Sequence, residues 1–307
     1  MNKLSSMAIA SLALATVSAP ASAFLTNWSF DPDAGGPVTP KNISQYLDFS
    51  GVSYVQTSLP VGGSGNFNFS DAGAFNFTGH DGGASLGVGT TVEVTAVLTG
   101  TPVPPPPPST QATGTGTTTP PNSNITFKSG VFSIYSDTTS CAGIGNCNYG
   151  TITSGGNSGI YFGANDGLLI GTFTPVTGGG SIDPISAIPN GFLNLEAQAT
   201  FLRPGYWFSG PGGTGVDLST LVPTGLLFGF VTTNASFNDN PSNEIKSEIV
   251  NGLAGGNSAS PTFNTPPKDF VVGNNGQFRL NLVPEPGTVA LVGLGLLGLG
   301  MRRFRRA

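Results

Sequence analysis

Asn66-Phe67-Asn68-Phe69-Ser70-Asp71-Ala72-Gly73-Ala74-Phe75-Asn76-Phe77-Thr78 is the stretch on which the fold turns. Its phenylalanines fall on alternate positions with Asn, Ser and Thr between them, the period of a strand that buries one face and wets the other. Asp71-Ala72-Gly73 reads as a hairpin turn between two arms. The same alternation recurs at Val92, Val94, Ala96 and Leu98, and again at Leu193, Leu195, Ala197, Ala199 and Phe201. Further strands are predicted over Leu47 to Gln56, Ile125 to Tyr135, Leu168 to Phe173, Leu226 to Thr232 and Gln277 to Val283. One short helix is expected from Ser242 to Leu253, with Ser242 as its N-cap. So many short strands, separated by Gly, Asn and Pro, predict an all-β body of the β-sandwich or jelly-roll kind.

Composition supports a folded body with loose insertions. The 46 Gly and 25 Pro follow no collagen-like period, while 38% hydrophobic residues, including 21 Phe, supply material for a core. Residues 101–121 contain five consecutive prolines, Pro104 to Pro108, followed by a Thr-, Gly- and Ser-rich run. This segment reads as polyproline II and flexible coil, and its hydroxyl density makes it a candidate for O-glycosylation. An insertion between neighbouring strands is preferred to a linker between two domains, because the preceding stretch would leave a domain of only about 77 residues. The body from Phe24 to Leu282 has six basic and fifteen acidic residues, a net charge of −9, which repels phosphate backbones and argues against a nucleic-acid partner.

Both ends read as processing segments. Lys3, the apolar run Met7 to Val17 and the A-x-A site Ala21-Ser22-Ala23 form a secretory signal over residues 1–23, placing the mature start at Phe24. Signal peptidase and the general secretion machinery are the partners this implies. At the other end, residues 287–301 are free of charge and are followed by Arg302, Arg303, Arg305 and Arg306. About 15 residues of helix span roughly 22 Å, so a transmembrane helix here needs a thinned bilayer or snorkelling arginines. The basic cluster keeps the 302–307 end cytoplasmic and the body outside.

Val283-Pro284-Glu285-Pro286, the short Gly- and Leu-rich apolar segment and the terminal arginines together resemble the PEP-CTERM sorting signal of exported proteins from Gram-negative, exopolysaccharide-producing bacteria. The resemblance covers residues 283–307 and does not extend to the body. It implies processing by an exosortase, a cysteine transpeptidase of the membrane, with a transient inner-membrane stage before release to the cell surface or extracellular matrix.

Within the body, each candidate site has a plain structural alternative. Cys141 and Cys147 enclose five residues and, in an exported chain with an even cysteine count, are expected to form a disulfide. His80-Asp81 has the order of a base and its orienter, but also of a polar turn, and no Gly-x-Ser-x-Gly elbow accompanies it. Asp31-Pro32-Asp33-Ala34-Gly35-Gly36 resembles half a calcium loop, yet Asn42 stands where the closing Glu belongs, so a simple turn is the stronger reading. Asn165-Asp166-Gly167 and Asn238-Asp239-Asn240 are weaker versions of the same pattern. Tyr206 and Trp207 head the densest aromatic cluster, which suits either burial or a platform for stacking on sugar rings.

No constellation argues for catalysis, a metal or a cofactor. The expectation is a non-enzymatic matrix protein that associates with exopolysaccharide in flocculation or biofilm formation. A carbohydrate-binding module, or a secreted polysaccharide hydrolase, is the alternative.

Overall fold

The two phenylalanine arms belong to a single strand. In the computed structural model, Gly65–His80 runs unbroken through the predicted turn at Asp71-Ala72-Gly73. Phe67, Phe69, Asp71, Gly73, Phe75 and Phe77 share one parity, and their side of the strand faces the core. The structure describes residues 23–58, 64–88, 92–99, 112–119, 122–138, 149, 164–165, 167–182, 191–224, 227–238 and 269–282.

In chain order the strands are β1 (Ala23–Phe24), β2 (Trp28–Phe30), β3 (Lys41–Ile43), β4 (Leu47–Thr57), β5 (Gly65–His80), β6 (Ala84–Ser85), β7 (Glu93–Thr99) and β8 (Ala112–Thr119). They continue with β9 (Asn122–Ser129), β10 (Val131–Asp137), β11 (Leu168–Ile182), β12 (Gly191–Leu202), β13 (Trp207–Phe208), β14 (Leu227–Asn238) and β15 (Asp269–Leu282). Short 3-10 turns lie at Pro211–Gly213 and Leu218–Thr224.

The expected β-sandwich or jelly roll is not what these strands build. The ring β4, β5, β7, β10, β11, β12, β14, β15 returns to β4, giving an eight-stranded closed barrel in which every neighbouring pair is antiparallel. The closing seam pairs β15 with β4 from Asp269↔Gln56 to Phe278↔Leu47. Closure removes the open sheet edges that a sandwich must protect by other means.

Two positions in the wall are each shared by two strands in tandem. Long β5 pairs with β7 through Gly73↔Leu98 and with β8 through Asp71↔Ala112, so the segment between Thr99 and Ala112 interrupts what is otherwise one line of pairing. Strands β9 and β10 meet at Gly130 and pair with β8 and β7. Ala112–Thr119, read from the sequence as part of the flexible 101–121 insertion, is instead strand β8, because its Gly and Thr residues pair with β5 and β9 in the same sheet as the strands before and after it.

The interior is filled by phenylalanine set against glycine. Phe67↔Gly116, Phe69↔Gly114 and Phe75↔Gly51 are direct cross-strand partners. A Cβ on Gly114 or Gly116 would collide with the partner ring. Much of the glycine content thus makes room for rings, the large-and-small alternation that fits side chains inside a small barrel. Gly114→Ala is expected to cost roughly 1–3 kcal/mol in urea unfolding, because neither the Phe69 ring nor the Thr126 carbonyl can retreat freely.

One end of the barrel is capped by the sheet β13-β2-β3. Trp207, on β13, stacks on Trp28 at 6.1 Å between centroids and lies 6.3 Å from Phe278 inside the barrel. The chain leaves β15 at this same end, where Leu282 pairs with Ala23.

The transmembrane helix expected over 287–301, the Ser242 to Leu253 helix and the Cys141 and Cys147 pair lie outside the described residues. Among the described residues no helix is long and apolar enough to cross a membrane.

Candidate functional site

Tyr206 and Trp207 do not form a sugar platform. Trp207 is wholly buried, and its Nε1 donates to the Ile170 carbonyl at 2.9 Å. Its faces are taken by Trp28 and Phe30, and Tyr206 is buried beside it.

His80 and Asp81 organise a turn. Asp81 Oδ2 accepts from the Ser44 N–H, and Oδ1 accepts from the Gln45 and Tyr46 N–H groups. His80 Nδ1 lies 3.0 Å from Asp81 Oδ2. Burial works to raise the Asp81 carboxyl, but the donors from Ser44, His80, Gln45 and Tyr46 outweigh it and hold the group below its ordinary value. The carboxylate is thereby committed to the β3–β4 connection.

The half calcium loop is likewise a turn. Asp31 accepts from the N–H groups of Asp33 and Gly35, and Asp33 accepts from Val38 N–H. Burial, joined by the adjacent Asp33 carboxyl, pushes the Asp31 carboxyl above its ordinary value. Asn42 Oδ1 accepts from Gly212 N–H instead of closing the loop. No cluster of three or more His, Cys, Asp or Glu suited to a metal occurs among the described residues. Asp166, Asp239 and Asn240, from the two weaker patterns, lie outside them.

A polar layer inside the barrel was not apparent from local sequence. Thr233 Oγ1 donates to Asn274 Oδ1 at 3.2 Å, and Asn274 Nδ2 donates to Ser53 Oγ at 3.1 Å. Ser53 in turn hydrogen-bonds to Asp71, whose Oδ1 is buried without a partner. The layer crosses β14, β15, β4 and β5 and ends on a carboxyl that burial pushes up to about 7, against the opposing pull of the Ala72 N–H and the Ser53 hydroxyl. The signal in the sequence was the unbroken parity from Phe67 to Phe77, which places Asp71 on the phenylalanine face.

The outer wall carries a different chemistry. Opposite the inward Phe67, Phe69 and Ile125, alternate residues of β5, β8 and β9 point away from the core. Asn66, Asn68, Thr115, Thr117, Asn124 and Thr126 line a groove of about 460 Å³, with Ser58 at its edge. Thr126 also opens onto a second groove of about 360 Å³ with Thr177, Asn194 and Glu196. Thr117 Oγ1 donates to Asn66 Oδ1 at 2.9 Å across the strands. Glu196 is the one ionisable side chain lining either groove among the described residues. Such a surface offers neutral hydrogen-bond donors and acceptors and no positive charge.

No curated protein and no solved structure matches the chain. A family model does match its end: residues 282–306 correspond to the PEP-CTERM protein-sorting motif, starting at the last residue of β15. The chain therefore carries the PEP-CTERM sorting motif behind its barrel, and it is an exported protein addressed to an exosortase-type enzyme.

Proposed function

We propose that, once exported, the protein is a non-enzymatic component of the extracellular matrix that associates with exopolysaccharide and acts in flocculation or biofilm formation. The observation supporting this reading is the uncharged Asn and Thr groove on the outer wall. Its position suits the role. Asn66, Thr117 and Asn124 lie towards the end of the barrel where β5 begins and β8 turns into β9. The sorting motif starts from the opposite, capped end. A body held at one end thus presents its hydrogen-bonding wall away from the point of attachment. Individual contacts of this type are weak, and display of many copies on a surface supplies avidity.

The test is retention of the purified barrel on exopolysaccharide isolated from its own host. Asn68→Ala with Asn124→Ala is expected to weaken retention by roughly thirtyfold, since two neutral hydrogen bonds contribute about 1 kcal/mol each. Thermal unfolding should stay unchanged, because both side chains face solvent. Equal retention by the variant and the parent would reject the groove as the contact surface.

A further inference from the structure

The residues that end the leader and the barrel are strand partners in the fold. Ala23 is the strand partner of Leu282 and Phe24 of Asn281, while Leu25 N–H donates to the Leu280 carbonyl at 2.9 Å. β4 stops pairing with β15 at Phe278, so β1 takes over that side of β15 for its last residues. Side chains reinforce the join. The Arg279 guanidinium sits 5.6 Å from the Phe24 ring centroid and 5.0 Å from that of Tyr46, two cation–π contacts that tie β1 to β15 and to the β3–β4 connection. Asn281, opposite Phe24, keeps a buried Oδ1 with no hydrogen-bond partner. Signal cleavage after Ala23 makes Phe24 N an ammonium with extra donors beside this residue, the kind of group the oxygen lacks.

We propose that Phe24 and Leu25 form a positioning strand for C-terminal processing. By completing the sheet along Leu280 and Asn281, they brace the end of β15 against β14, whose Leu227 pairs with Leu282, and so present the sorting motif to the exosortase-type enzyme in one register. This rests on the sorting assignment and extends it to the other terminus of the chain. The physical reason is that a peptide substrate must meet its enzyme in a defined extended geometry, and a frayed root spreads that geometry over many conformers.

The experiment uses the full chain in a host with an exosortase and reads the intact mass of the mature protein. Leu25→Pro removes the donor to Leu280, and Arg279→Ala removes both ring contacts without touching either junction. The wild-type chain is expected to give one C-terminal end. Both variants should be processed roughly tenfold less, or at several positions, while unfolding at nearly the wild-type temperature. Faster amide exchange at Leu25 in Arg279→Ala, the N–H that donates to the Leu280 carbonyl, confirms that the strand has been released. If exchange rises and both variants still give the wild-type end in wild-type yield, the positioning role is overturned. If Leu25→Pro blocks leader removal or folding, Arg279→Ala alone decides in the same way. A wild-type chain left unprocessed with the enzyme present overturns the sorting reading itself, a result distinct from a defect confined to the variants.

Discussion

Phe278→Ala is expected to cost the barrel about 3–5 kcal/mol, read as a lower urea midpoint with little change in the slope of the transition. Phe278 is fully buried and meets Phe77, Phe132, Phe173 and Trp207 at centroid separations of 6.2, 6.1, 5.1 and 6.3 Å. Those rings come from four different strands, including the capping sheet, so no single element can move in to fill the gap. A β-barrel wall closed by hydrogen bonds all round is also poorly able to contract. A loss near 1 kcal/mol would mean that the interior relaxes around the gap after all, and that the closed wall is softer than its pairing indicates.

Asp71→Asn is expected to stabilise the protein at neutral and higher pH and to leave it nearly unchanged in mild acid. In the wild-type chain burial pushes the folded carboxyl from its ordinary 3.8 up to about 7. The folded state thus holds its proton more tightly than the unfolded chain. This contribution is fully present below the unfolded value, falls as pH rises from about 4, and is lost once pH passes the folded value near 7. Its ceiling is roughly 4 kcal/mol, set by a separation of about three pKa units. Asn keeps the shape of the protonated acid and cannot ionise, so the slope between those two pH values should disappear in the variant. Urea midpoints of both proteins across that range are the check. Parallel curves would show that Asp71 stays ionised in the fold and that water or another group reaches its Oδ1.

The strands were legible because their chemistry is local. Phe67 and Phe69, or Val94, Ala96 and Leu98, record which face is buried whatever the sheet later does. The closure was not legible. A sandwich and a barrel impose the same alternation on each strand, and what separates them is the pairing of Leu47 with Phe278, residues distant in sequence. Asp71-Ala72-Gly73 misled because these residue types favour turns. The structure uses them mid-strand, where Gly73 clears space for the Phe75 ring and Ser53, and Ala72 packs with Tyr54 and Val97 on the outer face. Ile125 to Tyr135 was read as one strand and is two, joined at Gly130, because different partners line its halves. The sorting motif was legible in full, since its recognition depends on order along the chain.

The interrupted line of pairing between β7 and β8 bears on how this protein can change over time. The rungs on β5 pass from Leu98 at Gly73 to Ala112 at Asp71, and Thr99 is still paired with Val131, which leaves only Ala72 on β5 for everything from Gly100 to Gln111. The number of residues in that interval is therefore free of the geometry of the wall. Related strains should differ in length there before they differ in any strand, and a foreign epitope or fluorescent label spliced between Gly100 and Gln111 should ride on the barrel without shifting a single rung.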